Sequence, residues 1–313
     1  MKRDLIVIGG SAGSHRIIKE VVASLPPQLG AAVCVVVHML PRARSQLASI
    51  LGSLSNLPVR EVADGDVLEP GRIYVTPPDR HLLIANGHVH LTRGPKEGLH
   101  RPSINVTFRS AASSRGSRVI GVLLSGLLDD GASGLWEIVR HGGVAIIQDP
   151  DEAEYPSMPL NALRDAPVHY RLAAAQIPAM LERLVAGEEA PHMFSNSTGC
   201  APDQFSGFTC PECSGPLFRR DLTPTLSEFR CRVGHVFSPQ VLLDEHTSKQ
   251  EKKLYEALLA LEEGVQLAEY MAARVGSDQR EQLMTEASQL RQYAGGIRGL
   301  IEGRSLSAAE RKP

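Results

Sequence analysis

The feature that most constrains this chain is an alternation running from residue 4 to about 185. Short, near-continuous aliphatic runs are separated by stretches with helical spacing. The runs are "DLIVIG" (4–9), "AVCVVVH" (32–38), "RIYVT" (72–76), "VIGVLLSG" (119–126) and "GVAII" (143–147). Between them lie "SHRIIKEVVASL" (14–25), "RSQLASILGSL" (44–54), "SINVTFRSAASS" (103–114) and "ASGLWEIVRH" (132–141). A strand apolar at successive positions is buried on both faces, as in a parallel sheet covered by helices. The expected fold class is therefore α/β, a doubly wound, mostly parallel sheet. One segment, "HLLIANGHVHLT" (81–92), sets Asn-Gly between alternating runs and predicts an attached hairpin.

Composition narrows the functional classes. With 313 residues, 42 % hydrophobic content, 22 % charged content and a net charge of −2, nothing argues for a global polyanion partner. The apolar run in "MKRDLIVIGG" is too short for a signal peptide and fits a first strand. No stretch reaches the ~20 apolar residues of a membrane span, so neither secretion nor membrane insertion is expected. Cysteine use is sparse: Cys34 stands alone in an apolar run, while Cys200, Cys210, Cys213 and Cys231 fall late. That pattern predicts a reducing, cytoplasmic setting, with a buried Cys34 and a free Cys200.

The chain divides into a domain at 1–186, a Gly/Pro/Ser-rich linker at 187–207, a cysteine-bearing segment at 208–238 and a helical tail at 239–313. In the tail, Leu254, Leu258, Leu261, Val265, Ala268, Ala272 and Val275 keep a step of four and three. Leu283, Ala287, Leu290, Ala294, Ile297 and Ile301 do the same after "VGSD". The two stripes predict an antiparallel helical hairpin of coiled-coil type. They either pack on each other or serve partner recognition and self-association.

Function is sought at the carboxyl ends of the parallel strands, where such sheets place their sites. Ser11 follows the first strand, His38 ends the second, and Asp129 and Asp130 follow the strand ending near 126. In a doubly wound order the first strand lies between the other two. A serine, a histidine and an acid then share one rim, the arrangement a nucleophile, a base and an orienting carboxylate require. Gly9, Gly10 and Gly13 suit a tight turn that substrate can approach. The competing reading, a dinucleotide-phosphate turn, needs G-x-G-x-x-G and an acid after the second strand, and neither is present. Backbone N–H groups at Ala12 and Leu127 are the candidate oxyanion donors.

Cys210-Pro-Glu-Cys213 and Cys231-Arg-Val-Gly-His235, seventeen residues apart, form a Cys3His set. Four such ligands close a tetrahedron around structural Zn2+, and the segment between reads as the short strands of a zinc ribbon. The other reading of the first pair is a redox CxxC. Arg219, Arg220, Arg230 and Arg232 are interspersed with acids and lack an aromatic stacking pattern, so protein contact or bracing is expected rather than nucleic acid. A catalytic metal at His100 or His141 has no spacing support.

"GGSAGS", "VVVHML", "DGDVLEPGRIYVTPPDRHLL", "HRPSINVTFRSAA", "SGLLDDGASGL" and "QDPDEAEYPSMPLNAL" also resemble, in order, the motifs of the bacterial chemotaxis protein-glutamate methylesterase family, CheB. The resemblance covers about residues 4–185. It implies a serine esterase with Ser11 as nucleophile, His38 as base and Asp130, directly before Gly-Ala, as the acid. Arg101 and Met158, within those motifs, are candidate substrate-binding side chains. The implied substrate is a glutamate methyl ester on a chemoreceptor's helical bundle, with methanol released and glutamine deamidated in some members. The family's usual N-terminal receiver domain is not expected in this chain. Leu128 stands where the family has Gly, and Asn105 where it has Asp. A non-enzymatic signalling scaffold and an esterase on another substrate are the alternative functions.

Overall fold

The structure, a computed structural model, describes residues 2–41, 45–191, 193 and 203–309, with side chains to residue 303. The chain forms two compact units, Met1–Val241 and Leu242–Pro313. In the first, a 7-stranded sheet has the order β3-β4-β2-β1-β7-β8-β9. These strands are β1 (Leu5–Gly10), β2 (Ala32–Val37), β3 (Val59–Glu61), β4 (Ile73–Val75), β7 (Val119–Leu123), β8 (Val144–Gln148) and β9 (Tyr170–Leu172). Every pairing in it is parallel, and β1 lies between β2 and β7 as the strand-end argument requires. The short edges β3 and β9 were not among the expected strands. The expected hairpin is present as β5 (His81–Ala85) and β6 (His88–Thr92), antiparallel across Asn86-Gly87.

Alternate residues of each strand feed two cores. One face sets Val7, Cys34, Val36, Leu123 and Ile147 against α3 (Ile104–Arg115), α4 (Ala132–Arg140) and α5 (Ser157–Asp165). The other sets Ile6, Ile8, Val33, Val35, Val122 and Ile146 against α1 (Ser14–Ala23), α2 (Leu47–Leu54) and α6 (Ile177–Ala186). Each fully buried aliphatic side chain contributes about 1.5–3 kcal/mol. A one-residue slip would move every one of them to the wrong core, so register is tightly specified.

A 4-stranded antiparallel sheet follows, β10 (Gln204–Thr209), β11 (Pro216–Asp221), β12 (Ser227–Cys231) and β13 (Val236–Phe237). It starts inside the expected linker, and it belongs to the first compact unit rather than standing apart. Leu226, just before β12, joins the core cluster of α3 and α4. Between the two modules Arg109 of α3 is ion-paired to both Glu97 and Glu228. Cys200 lies outside the described residues.

The remaining helices are α7 (Pro239–Ala272), which begins at the end of the first unit, and α8 (Ser277–Ala309). Val265, Ala268 and Ala287 form a small core with Leu290 packed on it. Glu269 pairs with Arg291 and Glu262 with Arg298, which fixes the two helices as antiparallel. Among the described residues no helix is long and apolar enough to cross a membrane.

Candidate active site

The serine turn is held from both sides. The Ser11 N–H donates to the Ser125 carbonyl beyond β7 (3.0 Å), and the His38 N–H beyond β2 donates to the Gly10 carbonyl (3.3 Å). Gly13 has φ +74° as the N-cap of α1, a conformation that an L side chain strains to adopt. Gly126 is a close approach: a Cβ there would stand 2.0 Å from the Met158 sulfur and 2.8 Å from the Ser11 Cβ.

Three distant residues meet on this rim. Ser11 Oγ lies 3.0 Å from His38 Nδ1, and His38 Nε2 lies 2.7 Å from Asp130 Oδ2. Asp130 also accepts from the Ser103 hydroxyl (3.0 Å) and from the Ile104 (2.7 Å) and Asn105 (3.0 Å) backbone N–H groups. The carboxylate therefore caps α3, whose N-cap is Ser103. Burial pushes its pKa up, but the His38 contact, the imidazole charges and the Asn105 N–H outweigh that and hold it well below the usual carboxylate range. An ionised Asp130 accepts only, so the His38 proton sits on Nε2. Nδ1 is left as a bare lone pair facing the serine hydroxyl.

Asp129, the other acid of the pair, bonds Ser238 instead. Burial and the charges of Asp130 and Asp165 push it up to about 6. No hydrogen bond from the Ala12 or the Leu127 N–H to a protein acceptor is present among the described residues. Asn105 Oδ1 accepts from the Gly131 (2.9 Å) and Gly134 (2.8 Å) N–H groups, which ties α3 to the start of α4. Leu128, at φ +64°, occupies a conformation that favours glycine.

Two expected substrate residues are engaged within the fold. The Arg101 guanidinium is bound by Asp79 (2.6 and 2.8 Å) and by the Gly94 carbonyl (2.9 Å), so it braces its own loop. Met158 is fully buried and packs against Gly126, whose other neighbour is Ser11. The sequence reading missed His100, whose ring stacks on His38 at 3.6 Å and 9°. It also missed His81, which accepts from the Ser103 N–H (3.2 Å) and donates to the Pro95 carbonyl (3.0 Å). Burial and the neighbouring His38 lower His100 to about 4, so it is neutral at pH 7. The signal available for both was their place in the "PPDRHLL" and "HRPS" motifs, which their spacing to the triad does not reveal.

The ligand atoms of Cys210, Cys213, Cys231 and His235 lie within 4.8 Å of one another. Cys213 and Cys231 sulfurs are 3.6 Å apart, and Cys231 Sγ lies 3.5 Å from His235 Nδ1. Zn–S bonds of about 2.3 Å in a tetrahedron put sulfurs about 3.8 Å apart, so the donor set fits zinc. Cys34 is fully buried, and burial pushes its thiol up to about 12, an inert group.

Comparison with known proteins identifies the family. A relative from Leptospira interrogans is 36 % identical over 185 residues, 59 % of this chain and 96 % of its own length. Proteins from Methanosarcina mazei (39 % identical; 52 % of this chain, 46 % of theirs) and Anaeromyxobacter dehalogenans (38 %; 58 % and 51 %) are named protein-glutamate methylesterase/protein-glutamine glutaminase. The chain thus spans about half the length of those two relatives. The crystal structure of the Thermotoga maritima CheB methylesterase catalytic domain matches at TM-score 0.56 and 33 % identity, over 59 % of this chain and 100 % of that domain. The CheB methylesterase profile matches residues 6–181. With the family's sequence pattern, its α/β sheet and a serine–histidine–aspartate rim all in one segment, the chain belongs to the CheB methylesterase family.

Proposed function

We propose that Ser11, His38 and Asp130 hydrolyse glutamate methyl esters on a chemoreceptor-type helical protein of the cytoplasm. His38 Nδ1 takes the Ser11 proton as Oγ attacks the ester carbonyl. The Ala12 and Leu127 N–H groups receive the oxyanion. The tetrahedral intermediate collapses with cleavage of the C–OCH3 bond, and Nδ1 returns the proton so that methanol leaves. Nδ1 then takes a proton from water, whose oxygen attacks the acyl-enzyme, and Ser11 leaves with that proton to free the glutamate side chain. A glutamine side chain would follow the same route with ammonia as the leaving group. Asp130 holds the Nε2–H tautomer and stabilises the imidazolium.

The observation that carries this reading is the unbroken Ser11–His38–Asp130 contact chain, 3.0 and 2.7 Å. Methanol release from a methylated receptor fragment tests it: Ser11→Ala loses about 10³-fold or more in kcat with the fold intact. Hydrolysis by that variant at the wild-type rate refutes it. We assign Cys210, Cys213, Cys231 and His235 as a closed zinc site that supplies folding energy and takes no part in the chemistry. The α7–α8 pair is assigned to self-association or to a helical partner.

A further inference from the structure

The loop from Gly94 to Arg101 is built unlike an ordinary surface connection. At one end His100 lies flat on the His38 ring. In its middle the Gly98 N–H donates to the Val236 carbonyl at 2.8 Å, and Glu97 forms an isolated bridge with Val236. Val236 directly follows His235, one of the four ligand candidates. Gly234, inside the same ligand turn and at φ +105°, brings its Cα side against Pro95, where an added Cβ would stand 3.2 Å from the proline ring. Glu97 is also joined to Glu228 of β12 through Arg109. The metal-ligand turn and the imidazole beside His38 are thus two ends of one short strap.

We propose that this strap couples the metal site to the active site: the occupied Cys3His turn pins residues 95–98, and so holds the His100 ring flat against His38. This rests on the triad reading above. His100 touches neither the ester nor Ser11 in this role; it is a positioning residue. Hydrogen bonds at Nδ1 and Nε2 hold the two edges of the His38 ring but leave it free to rock about the line that joins them. A flat neighbour at van der Waals distance on one face removes that freedom, and a displacement of about 1 Å at a reacting atom costs as much as 10²-fold in rate. His235 is the C-terminal ligand of the set, so the metal fixes the backbone carbonyl that receives Gly98. With the metal absent, the short Cys231–His235 turn loses its common anchor and that acceptor is no longer fixed.

The test uses the full chain, zinc-loaded and then stripped with a chelator. Amide exchange at Gly98 and His100 is measured alongside kcat and KM for methanol release. The expected result is exchange at both amides faster by about tenfold or more. It is accompanied by a kcat lower by about tenfold with KM within about twofold. In zinc-loaded protein His100→Ala gives the same kcat loss with the exchange of Gly98 unchanged, and His100→Phe, which keeps a flat ring, restores most of the rate. Stripping zinc from His100→Ala lowers kcat no further. Unchanged exchange at Gly98 on metal removal, multiplying rate losses, or His100→Ala acting on KM alone overturns the proposal. Should the stripped chain unfold, zinc-loaded Gly234→Ala, which sets a Cβ against Pro95, takes its place: faster exchange at Gly98 with a matching kcat loss supports the strap, and unchanged exchange overturns it. Absence of methanol release from the loaded wild-type chain refutes the triad assignment by itself, and the exchange readout still judges the strap.

Discussion

Asp130→Asn separates two jobs done by one carboxylate. Oδ2 receives the Ile104 N–H and the His38 Nε2–H, while Oδ1 receives the Ser103 hydroxyl and the Asn105 N–H. An amide nitrogen at the Oδ2 position opposes the Ile104 N–H and also forces the His38 proton from Nε2 to Nδ1. At the Oδ1 position it opposes only the Asn105 N–H, because the Ser103 hydroxyl can turn and accept. The variant therefore keeps its oxygen on His38, and the tautomer survives. One buried backbone N–H is orphaned, at about 1–3 kcal/mol, and a charge is lost at the α3 N-terminus, at about 1 kcal/mol. Denaturant unfolding of the variant is expected to read about 2–4 kcal/mol less stable. With the tautomer kept, kcat falls by about 10²–10³, less than the ~10⁴ that accompanies a flipped tautomer. The pH dependence follows from sign: the folded pKa is below the unfolded value of 3.8, so the wild-type contribution is present above about pH 4 and lost as pH falls. The Asp130→Asn substitution removes that part of the acid limb. An Asp130→Asn protein with wild-type stability and more than a third of the wild-type kcat would refute this reasoning.

Other perturbations probe the same rim. Gly126→Ala drives a Cβ into Met158 and Ser11, costing about 1–3 kcal/mol and a measurable loss of kcat. Adding Met158→Ala recovers part of the stability but not the rate, because the 2.8 Å clash with the Ser11 Cβ remains. Leu128→Gly relieves a left-handed φ of +64°. That relief of about 1–2 kcal/mol exceeds glycine's entropic cost of about 0.5–1, so the unfolding midpoint should rise. Burial and the charges of Glu228 and Asp130 push Glu97 up to about 7 despite Arg109. From about pH 4.5, its unperturbed value, to about 7 the folded state keeps a proton that the unfolded chain has released, so stability falls as pH rises across that window. Glu97→Gln should flatten that fall in a series of unfolding curves, and an unchanged slope would assign it elsewhere.

The central architecture was legible because it rests on repetition. The runs at 4–9, 32–38 and 119–126 are apolar on successive residues, and only a doubly covered sheet accommodates that. Strands β3 and β9 escaped because "VRE" and "YRL" are too short to express a period. The rim residues Ser11 and His38 could be read from the ends of their strands. The choice of Asp130 over Asp129 turned on the backbone N–H groups of α3, which no local pattern displays, and the family resemblance supplied it. Arg101 and Met158 illustrate the converse: a residue inside a shared motif can serve the scaffold, through Asp79 or against Gly126. His100 and Arg109 were invisible because each acts through residues distant in sequence, His100 on His38 within the α/β module and Arg109 across to Glu228 of the second sheet.

The serine turn hangs between two neighbours, one bond to the end of β7 and one from the end of β2. No short stretch of polypeptide contains enough of this rim to function, because Ser11 and Asp130 stand more than a hundred residues apart. Partly folded chains should be silent even where their local helices have formed. Turnover then becomes a stringent reporter of sheet completion, vanishing in step with global unfolding.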